Sequence, residues 1–533
     1  MLRFSFWILL AMLLVTLFAT ATPGFREIEL PFVLENSASP EKYLPETMAG
    51  GVAAFDYNND GRPDIFFANG AELPSLKKSD AKFSNRLFRN EGKGRFTDVT
   101  DEAGLAGSGY SIGAAAADFD NDGNVDLFVT GVNENHLYRN LGNGKFQDVT
   151  AKSGIASGVW SVAAGWFDFD NDGKLDLFVV NYVAWSAGKN PVCKDPGQKI
   201  RVYCHPRQFT GLANTLYRNR GDGTFENVSV KSGIAKHVGK GMSLAIADYD
   251  GDGFPDVFVT NDTLPNFLFH NRGDGTFEEV AFAAGVAMTD DGKAVSAMGA
   301  DFRDYDNDGL PDIVFTALTG ETFPVFRNMG KGQFRDATFS SRMGPLTARL
   351  AGWSIAIADF NNDGWKDIFT ANAHVTDNIE LFSGDRYKLK NTVFLNGGKG
   401  GFAAGPEFDE PHAHRGSAIA DFDGDGRLDI AVSALGAPAE LWLNTMSREN
   451  HWLDVRLVGT RSNRDGIGAI VRIGKQVNQQ TSAFGYASSS NGPVHFGLGA
   501  ANGALVVEVK WPGGKVQTFK NVAGDRIVTI VEP

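Results

Sequence analysis

The chain of 533 residues is 43% hydrophobic and 11% aromatic, which excludes a disordered acidic polymer, and it is too long for one ordinary core unless repeats build it. Its formal charge of −14, with no basic patch interleaved with aromatics, argues against a nucleic-acid partner. The 63 glycines point to many turns.

In chain order, Arg3 precedes an apolar run from Phe4 to Phe18, and Ala19-Thr20-Ala21 follows. This predicts a signal peptide over residues 1–22. An uncleaved N-terminal anchor is the alternative, since about 15 apolar residues are short for a span. The remainder is then secreted, periplasmic or at the cell surface, with no membrane insertion beyond that segment. FREIEL (25–30) follows, a strand without a hairpin before it.

A nine-residue pattern then appears seven times: DYNNDGRPD (56–64), DFDNDGNVD (118–126), DFDNDGKLD (168–176), DYDGDGFPD (248–256), DYDNDGLPD (304–312), DFNNDGWKD (359–367) and DFDGDGRLD (421–429). First aspartates lie 62, 50, 80, 56, 55 and 62 residues apart, at or above the upper edge of the period usual for propeller blades and solenoid units. Positions 1, 3, 5 and 9 offer oxygen donors. They are Asp56, Asn58, Asp60 and Asp64; Asp118, Asp120, Asp122 and Asp126; Asp168, Asp170, Asp172 and Asp176; Asp248, Asp250, Asp252 and Asp256; Asp304, Asp306, Asp308 and Asp312; Asp359, Asn361, Asp363 and Asp367; and Asp421, Asp423, Asp425 and Asp429.

Glycine at position 6 permits the sharp turn, and the free choice of residue at position 7 fits a site that uses only a backbone carbonyl. Hard oxygen donors in a flexible loop suit Ca²⁺ better than Mg²⁺, and the lack of Cys or His disfavours zinc. Up to seven structural calcium ions are expected. Asn58 and Asn361 lower the charge of two loops yet keep an oxygen donor. The 28 positions less these two leave 26 aspartates of the 64 acidic residues, so seven divalent ions would offset the formal −14. The competing reading, seven Asx-rich turns without metal, gives no reason for carboxylates at every spacing. These are not EF-hands, because the glutamate at position 12 is missing and the flanks read as strands, such as GVAAF (51–55) before and LFVTG (127–131) after a loop.

Between the loops runs a second element: LFRNEGKGRFTDVT (87–100), LYRNLGNGKFQDVT (137–150), LYRNRGDGTFENVS (216–229), LFHNRGDGTFEEV (268–280), VFRNMGKGQFRDAT (325–338) and VFLNGGKGGF (393–402). Strand, tight Asn/Gly turn and returning Phe-led strand predict a hairpin. LWLNT (441–445) has no returning strand, and FREIEL would supply it. The expected fold class is therefore all-β. A closed seven-bladed β-propeller spans residues 23–450, with an open solenoid as competitor that would leave edges exposed.

The long third interval holds CKDPGQKIRVYC, and export makes a disulfide between Cys193 and Cys204 the simplest account. From His451 onward, WLDVRLVG (452–459), AIVRIG (469–474), VHFGLG (494–499), LVVEVKW (505–511) and IVTIVE (527–532) predict a separate β domain over 451–533, a small sandwich.

The repeats resemble the FG-GAP/VCBS-type calcium loops of integrin α-subunit propellers. The tail, with NRDGIGAIVRI (463–473), VHFGLG (494–499) and VEVKWPGGKVQTF (507–519), looks like an ASPIC/UnbV domain. Together they are similar to the cartilage acidic protein family and its bacterial relatives. The likeness extends to YCHP (203–206), TNDTLPN (260–266) and MGAD (298–301), while HAHRGSA (412–418) carries two extra histidines. The resemblance implies fold far more than function.

Catalysis is the rival class. Weak catalytic candidates are His205, Asp262, His374, His414 and Arg415, which loops of different repeats could bring together. No nucleophile elbow, phosphate loop, dinucleotide fingerprint or HExxH pair occurs. The primary expectation is an exported calcium-binding module for protein or carbohydrate. An enzyme, or a structural or assembly protein of the cell envelope, is the alternative.

Overall fold

A computed structural model describes residues 24–156, 158–408, 410–446, 449–503 and 505–533. The expected signal peptide lies outside them. Among the described residues no helix is long and apolar enough to cross a membrane.

The second to sixth repeats each fold into an antiparallel four-stranded sheet in chain order. The second is typical: Ser111–Ala117, Asp126–Gly131, His136–Asn140 and Phe146–Asp148. Its first two strands are buried on both faces, which is why they read as unbroken apolar runs rather than alternating ones. The first is small, SIGAAAA, and so lets neighbouring sheets approach closely. The fourth, FQD, keeps only Phe146 inside. Apolar clusters fill the spaces between successive sheets. Phe55, Phe66 and Leu87 of the first repeat pack with Ala114, Leu127 and Tyr138 of the second.

The expectation of a closed seven-bladed β-propeller is corrected by the strand pairing. No sheet closes on itself or curls; each is an open ladder with two ends, and the fold is an all-β, multi-sheet one. Closure was inferred from the need to remove sheet edges, and the structure covers edges by other means. Phe25–Val33 pairs antiparallel with Pro438–Asn444, in register from Phe25↔Asn444 to Leu30↔Ala439, and gives the last repeat its fourth strand. In the first repeat Val52–Phe55 pairs in parallel with Ser488–Asn491 from the C-terminal region, so that sheet has six strands.

That C-terminal contribution, Ala483–Asn491, is wedged among the first strands of the repeats. Gly485 N donates to Ala300 O at 2.7 Å, Tyr486 N to Ser354 Oγ at 3.1 Å, and Ala487 O accepts from Ala114 N at 3.0 Å. The serine hydroxyls accept from Val52, Ala116 and Ile419 amides at 3.0–3.1 Å. The remaining C-terminal strands form a three-stranded sheet (Val494–Gly499, His451–Val458, Arg526–Val531) and a four-stranded one (Gln476–Gln479, Ile470–Ile473, Leu505–Lys510, Val516–Val522). Leu453, Val471, Phe496, Val509 and Trp511 make their shared core.

Cys193 and Cys204 are disulfide-bonded, with Cα atoms 5.2 Å apart. The bridge closes the long excursion of the third repeat beside Tyr203, whose hydroxyl donates to buried Glu46 at 2.9 Å.

Candidate metal-binding loops

Each nine-residue motif connects the first strand of a sheet to the second and turns through left-handed backbone at two positions. In the first loop these are Asn59 (φ 58°) and Gly61 (φ 88°). Only Asn or Gly fills position 4 in the seven copies, because those residues tolerate this region.

The second loop shows the hydrogen bonding. Asp118 accepts from the amides of Asp122 (3.0 Å) and Gly123 (2.7 Å). Asp126 is fully buried and accepts from Phe119 N (3.1 Å) and Asn140 N (2.7 Å), while Asp122 accepts from Asn124 N at 2.9 Å. All seven copies repeat the pattern at positions 1 and 9: Asp56, Asp168, Asp248, Asp304, Asp359 and Asp421 accept from the position-6 amide. Asp64, Asp176, Asp256, Asp312, Asp367 and Asp429 accept from the position-2 amide. The carboxylates thus converge on the inside of each turn. Oxygens of Asp118, Asp120 and Asp122, of Asp168, Asp170 and Asp176, and of Asp248, Asp250 and Asp256 lie within 4.8 Å of one another in their triplets.

Position 3 decides whether an ion fits. In Asp120, Asp170, Asp306 and Asp423 the Oδ1 atom is buried and has no hydrogen-bond partner. A buried carboxylate oxygen without a partner is costly, and four at one motif position fit a shared cation ligand. In Asp120, Asp170 and Asp306 the other oxygen is held by an arginine from the hairpin. Arg139 Nε lies 2.6 Å from Asp120 and its Nη2 3.1 Å from Asp122. Arg218 meets Asp170 and Asp172 at 2.7 and 3.3 Å, and Arg327 meets Asp306 and Asp308 at 2.5 and 2.9 Å. His270 takes this place in the fourth repeat, 3.6 Å from Asp250. Asn58 and Asn361 instead donate their own amides to Asp60 and Asp363, each at 3.1 Å.

Burial, reinforced by neighbouring carboxylates, pushes several of these groups up despite the backbone donors: Asp64 to about 8, and Asp118, Asp168 and Asp359 to about 7. A bound cation acts in the opposite sense and favours the ionised form.

Two sets of asparagines link the loops, and neither role was read from the sequence. The hairpin asparagine, read there as a turn residue, is buried in all seven repeats. Asn219 Nδ2 donates to Leu175 O of its own loop (2.9 Å) and to Phe119 O of the preceding loop (2.8 Å). Asn140, Asn271, Asn328, Asn396 and Asn444 do the same, and Asn90 reaches Phe422 of the last loop. The position-4 asparagines reach forward. Asn59, Asn121, Asn171, Asn307 and Asn362 donate to the position-6 carbonyl of the next loop at 2.9–3.1 Å. Glycine at 251 and 424 omits that link. The available signal was sevenfold identity of the hairpin Asn and the restriction of position 4.

The C-terminal strands sit on this loop face: Asp118 N donates to Asp465 (2.9 Å), Arg464 N to Asn121 (2.7 Å), and His495 Nε2 lies 2.7 Å from Asn362 Oδ1. Between them is a cavity of about 440 Å³ lined by loop residues and by Gln476, Asn478, Gln479, Gln480, Asn491 and Arg456.

None of the five catalytic candidates lines that cavity. His205 is exposed and accepts from Arg207 N, and His374 accepts from Thr376 N at 2.9 Å. Asp262 is buried and accepts from Tyr182 OH at 2.7 Å; burial pushes it up to about 6. His414 and Arg415 are both fully buried, and Arg415 lies 4.0 Å over the Trp353 ring with Nε donating to Thr47 O. Arg415 Nη1 also donates to His414 O at 2.8 Å, and its charge acts on His374.

The FG-GAP-like repeat model matches residues 56–129, 118–179, 209–259, 248–315, 304–370 and 378–432, and the ASPIC and UnbV model matches 459–533. The chain belongs to the FG-GAP-like repeat family. This FG-GAP chain is similar to cartilage acidic protein 1 of Homo sapiens (27% identical, 98% of this chain, 78% of that one) and of Mus musculus (26%, 96% and 78%). Among solved structures, an Agrocybe aegerita lectin described as recognising non-reducing terminal N-acetylglucosamine aligns with TM-score 0.39 and 17% identity, over 73% of this chain and 87% of that one. That likeness is too distant to carry an argument. The family membership and the similarity to cartilage acidic protein 1 are consistent with a non-cytoplasmic location, where a disulfide is stable.

Proposed function

We propose that this FG-GAP protein is an exported, calcium-stapled binding module. Its seven loops hold calcium as a structural ion, and residues 23–450 and 451–533 are two units joined across the loop face. The buried, unpartnered Oδ1 atoms of Asp120, Asp170, Asp306 and Asp423 carry this reading. An all-oxygen donor set in a flexible loop suits calcium, and the hairpin arginines offset part of the charge that remains.

The cavity beneath the C-terminal strands is the proposed ligand site. Its amides supply paired donors and acceptors of the kind that bind hydroxyl-rich carbohydrate or extended peptide, and the Arg456 guanidinium lines the same cavity, where its charge acts on Asp56 of the first loop. Carbohydrate is the proposed class, since the amide-rich lining offers both donors and acceptors to sugar hydroxyls.

The test is a panel of glycans and proteins screened with calcium and with chelator, using wild type, Arg456→Ala and Gln479→Ala. At least a tenfold loss of affinity in the variants, and loss of binding on chelation, is expected. Binding that survives both substitutions unchanged would move the ligand off this cavity and overturn the assignment.

A further inference from the structure

Outside the loops, one cluster of side chains faces inward on a single point. His412 and His414 precede and begin the strand His414–Ala420, and Glu440 lies on Pro438–Asn444 of the same sheet. Glu440 Oε1 is 2.7 Å from His412 Nδ1 and 3.0 Å from His414 Nε2. The three donor atoms lie within 4.8 Å of one another.

The surroundings fix how these groups are presented. His414 Nδ1 is 3.1 Å from the Asn372 carbonyl, an acceptor only, so that nitrogen carries a proton. In neutral His414 the Nε2 lone pair then faces a carboxylate oxygen at 3.0 Å, a repulsion that either a proton on Nε2, giving an imidazolium–carboxylate pair, or a metal ion between the two groups relieves. Trp442 Nε1 donates to the other oxygen of Glu440 at 2.7 Å and holds the carboxylate in place. An imidazole whose second nitrogen donates to a carbonyl, beside a carboxylate anchored by its own donor, is the outer arrangement of a metal centre.

We propose that His412, His414 and Glu440 form a transition-metal site, selective for Zn²⁺ over the calcium of the loops. Two imidazoles and one carboxylate suit zinc, whereas calcium requires more oxygen donors than this cluster holds. Bonds of about 2.0–2.1 Å in tetrahedral geometry place ligands about 3.3 Å apart, so Glu440 Oε1 has to draw back from the two imidazole nitrogens, now at 2.7 and 3.0 Å, by well under an ångström. His412 is partly exposed while the other two are buried, which leaves the fourth position on the solvent side. Glu27, on the strand paired with Pro438–Asn444, or water completes it.

The test uses the full chain with calcium saturating, so that the loops are filled. Calorimetry with Zn²⁺ is compared between wild type and His412→Ala, and Co²⁺ is used as a visible probe. One zinc per chain, at least tenfold weaker binding in His412→Ala, and an intense tetrahedral cobalt spectrum lost in that variant are expected. His412→Ala also removes a hydrogen bond from buried Glu440, so its zinc-free melting curve should lie below wild type, and the rise in melting temperature on adding zinc, present in wild type and absent in the variant, is the readout. Absence of zinc uptake, equal affinity in the variant, or only a weak octahedral cobalt spectrum would overturn the site, whatever the calcium content of the loops.

Discussion

Asn219 illustrates what a single residue contributes. Its side chain donates to two carbonyls from different repeats and accepts from Gly221 N at 2.9 Å, all in buried surroundings. Asn219→Ala leaves those groups without partners, at a cost of about 2–4 kcal/mol. Asn143→Ala, in an exposed turn, should cost under about 0.5 kcal/mol. Urea unfolding of the two variants measures the difference, and equal losses would show that the asparagine links are not stabilising. Every copy of this asparagine stood in the sequence. Its partner did not, because Phe119 lies 100 residues earlier and only packing of one repeat on the next brings it near. The convergence of carboxylates inside each loop was legible for the converse reason: the groups lie within nine residues, so spacing alone specifies the turn.

At the scale of elements, the strands and hairpins were readable because burial on both faces leaves unbroken apolar runs and the turns carry Asn and Gly. The segment Ala483–Asn491 was not. Its Ala-Phe-Gly-Tyr-Ala-Ser-Ser-Ser composition has neither period, and beyond the short local pairing of Ala483–Phe484 with Ser488–Asn491 it is placed by pairing with a sheet more than 400 residues away in sequence. Small residues are needed there because the surrounding strands come very close. Gly485 has φ 67°, and a Cβ on it would meet Ser354 Oγ at 2.5 Å. Gly485→Ala should therefore destabilise by about 2–3 kcal/mol, whereas Gly492→Ala, with nothing within 4 Å of the added atom, should be nearly neutral. Thermal melting of the two variants checks this, and a neutral Gly485→Ala would show that the wedge can yield.

The architecture of the whole molecule was the part least open to sequence reasoning. Repeat count and strand order follow from local pattern, but how sheets end depends on what covers their edges. Here the N-terminal strand and the C-terminal wedge do so, and the sheets stay open. Repeats are joined through loop asparagines and apolar interfaces rather than through a continuous ladder, and the C-terminal strands dock on the same loops. Loop geometry therefore sets both the packing of neighbouring repeats and the seat of the C-terminal region. Each structural ion at about 100 times its dissociation constant adds about 2.7 kcal/mol to stability. The most direct measurement is the metal content of the purified protein, with a melting curve before and after chelation. Several calcium ions per chain, and a fall of more than about 10 °C on their removal that added calcium reverses, are predicted. A protein that holds no calcium and melts at the same temperature with and without chelator would contradict the structural-ion reading.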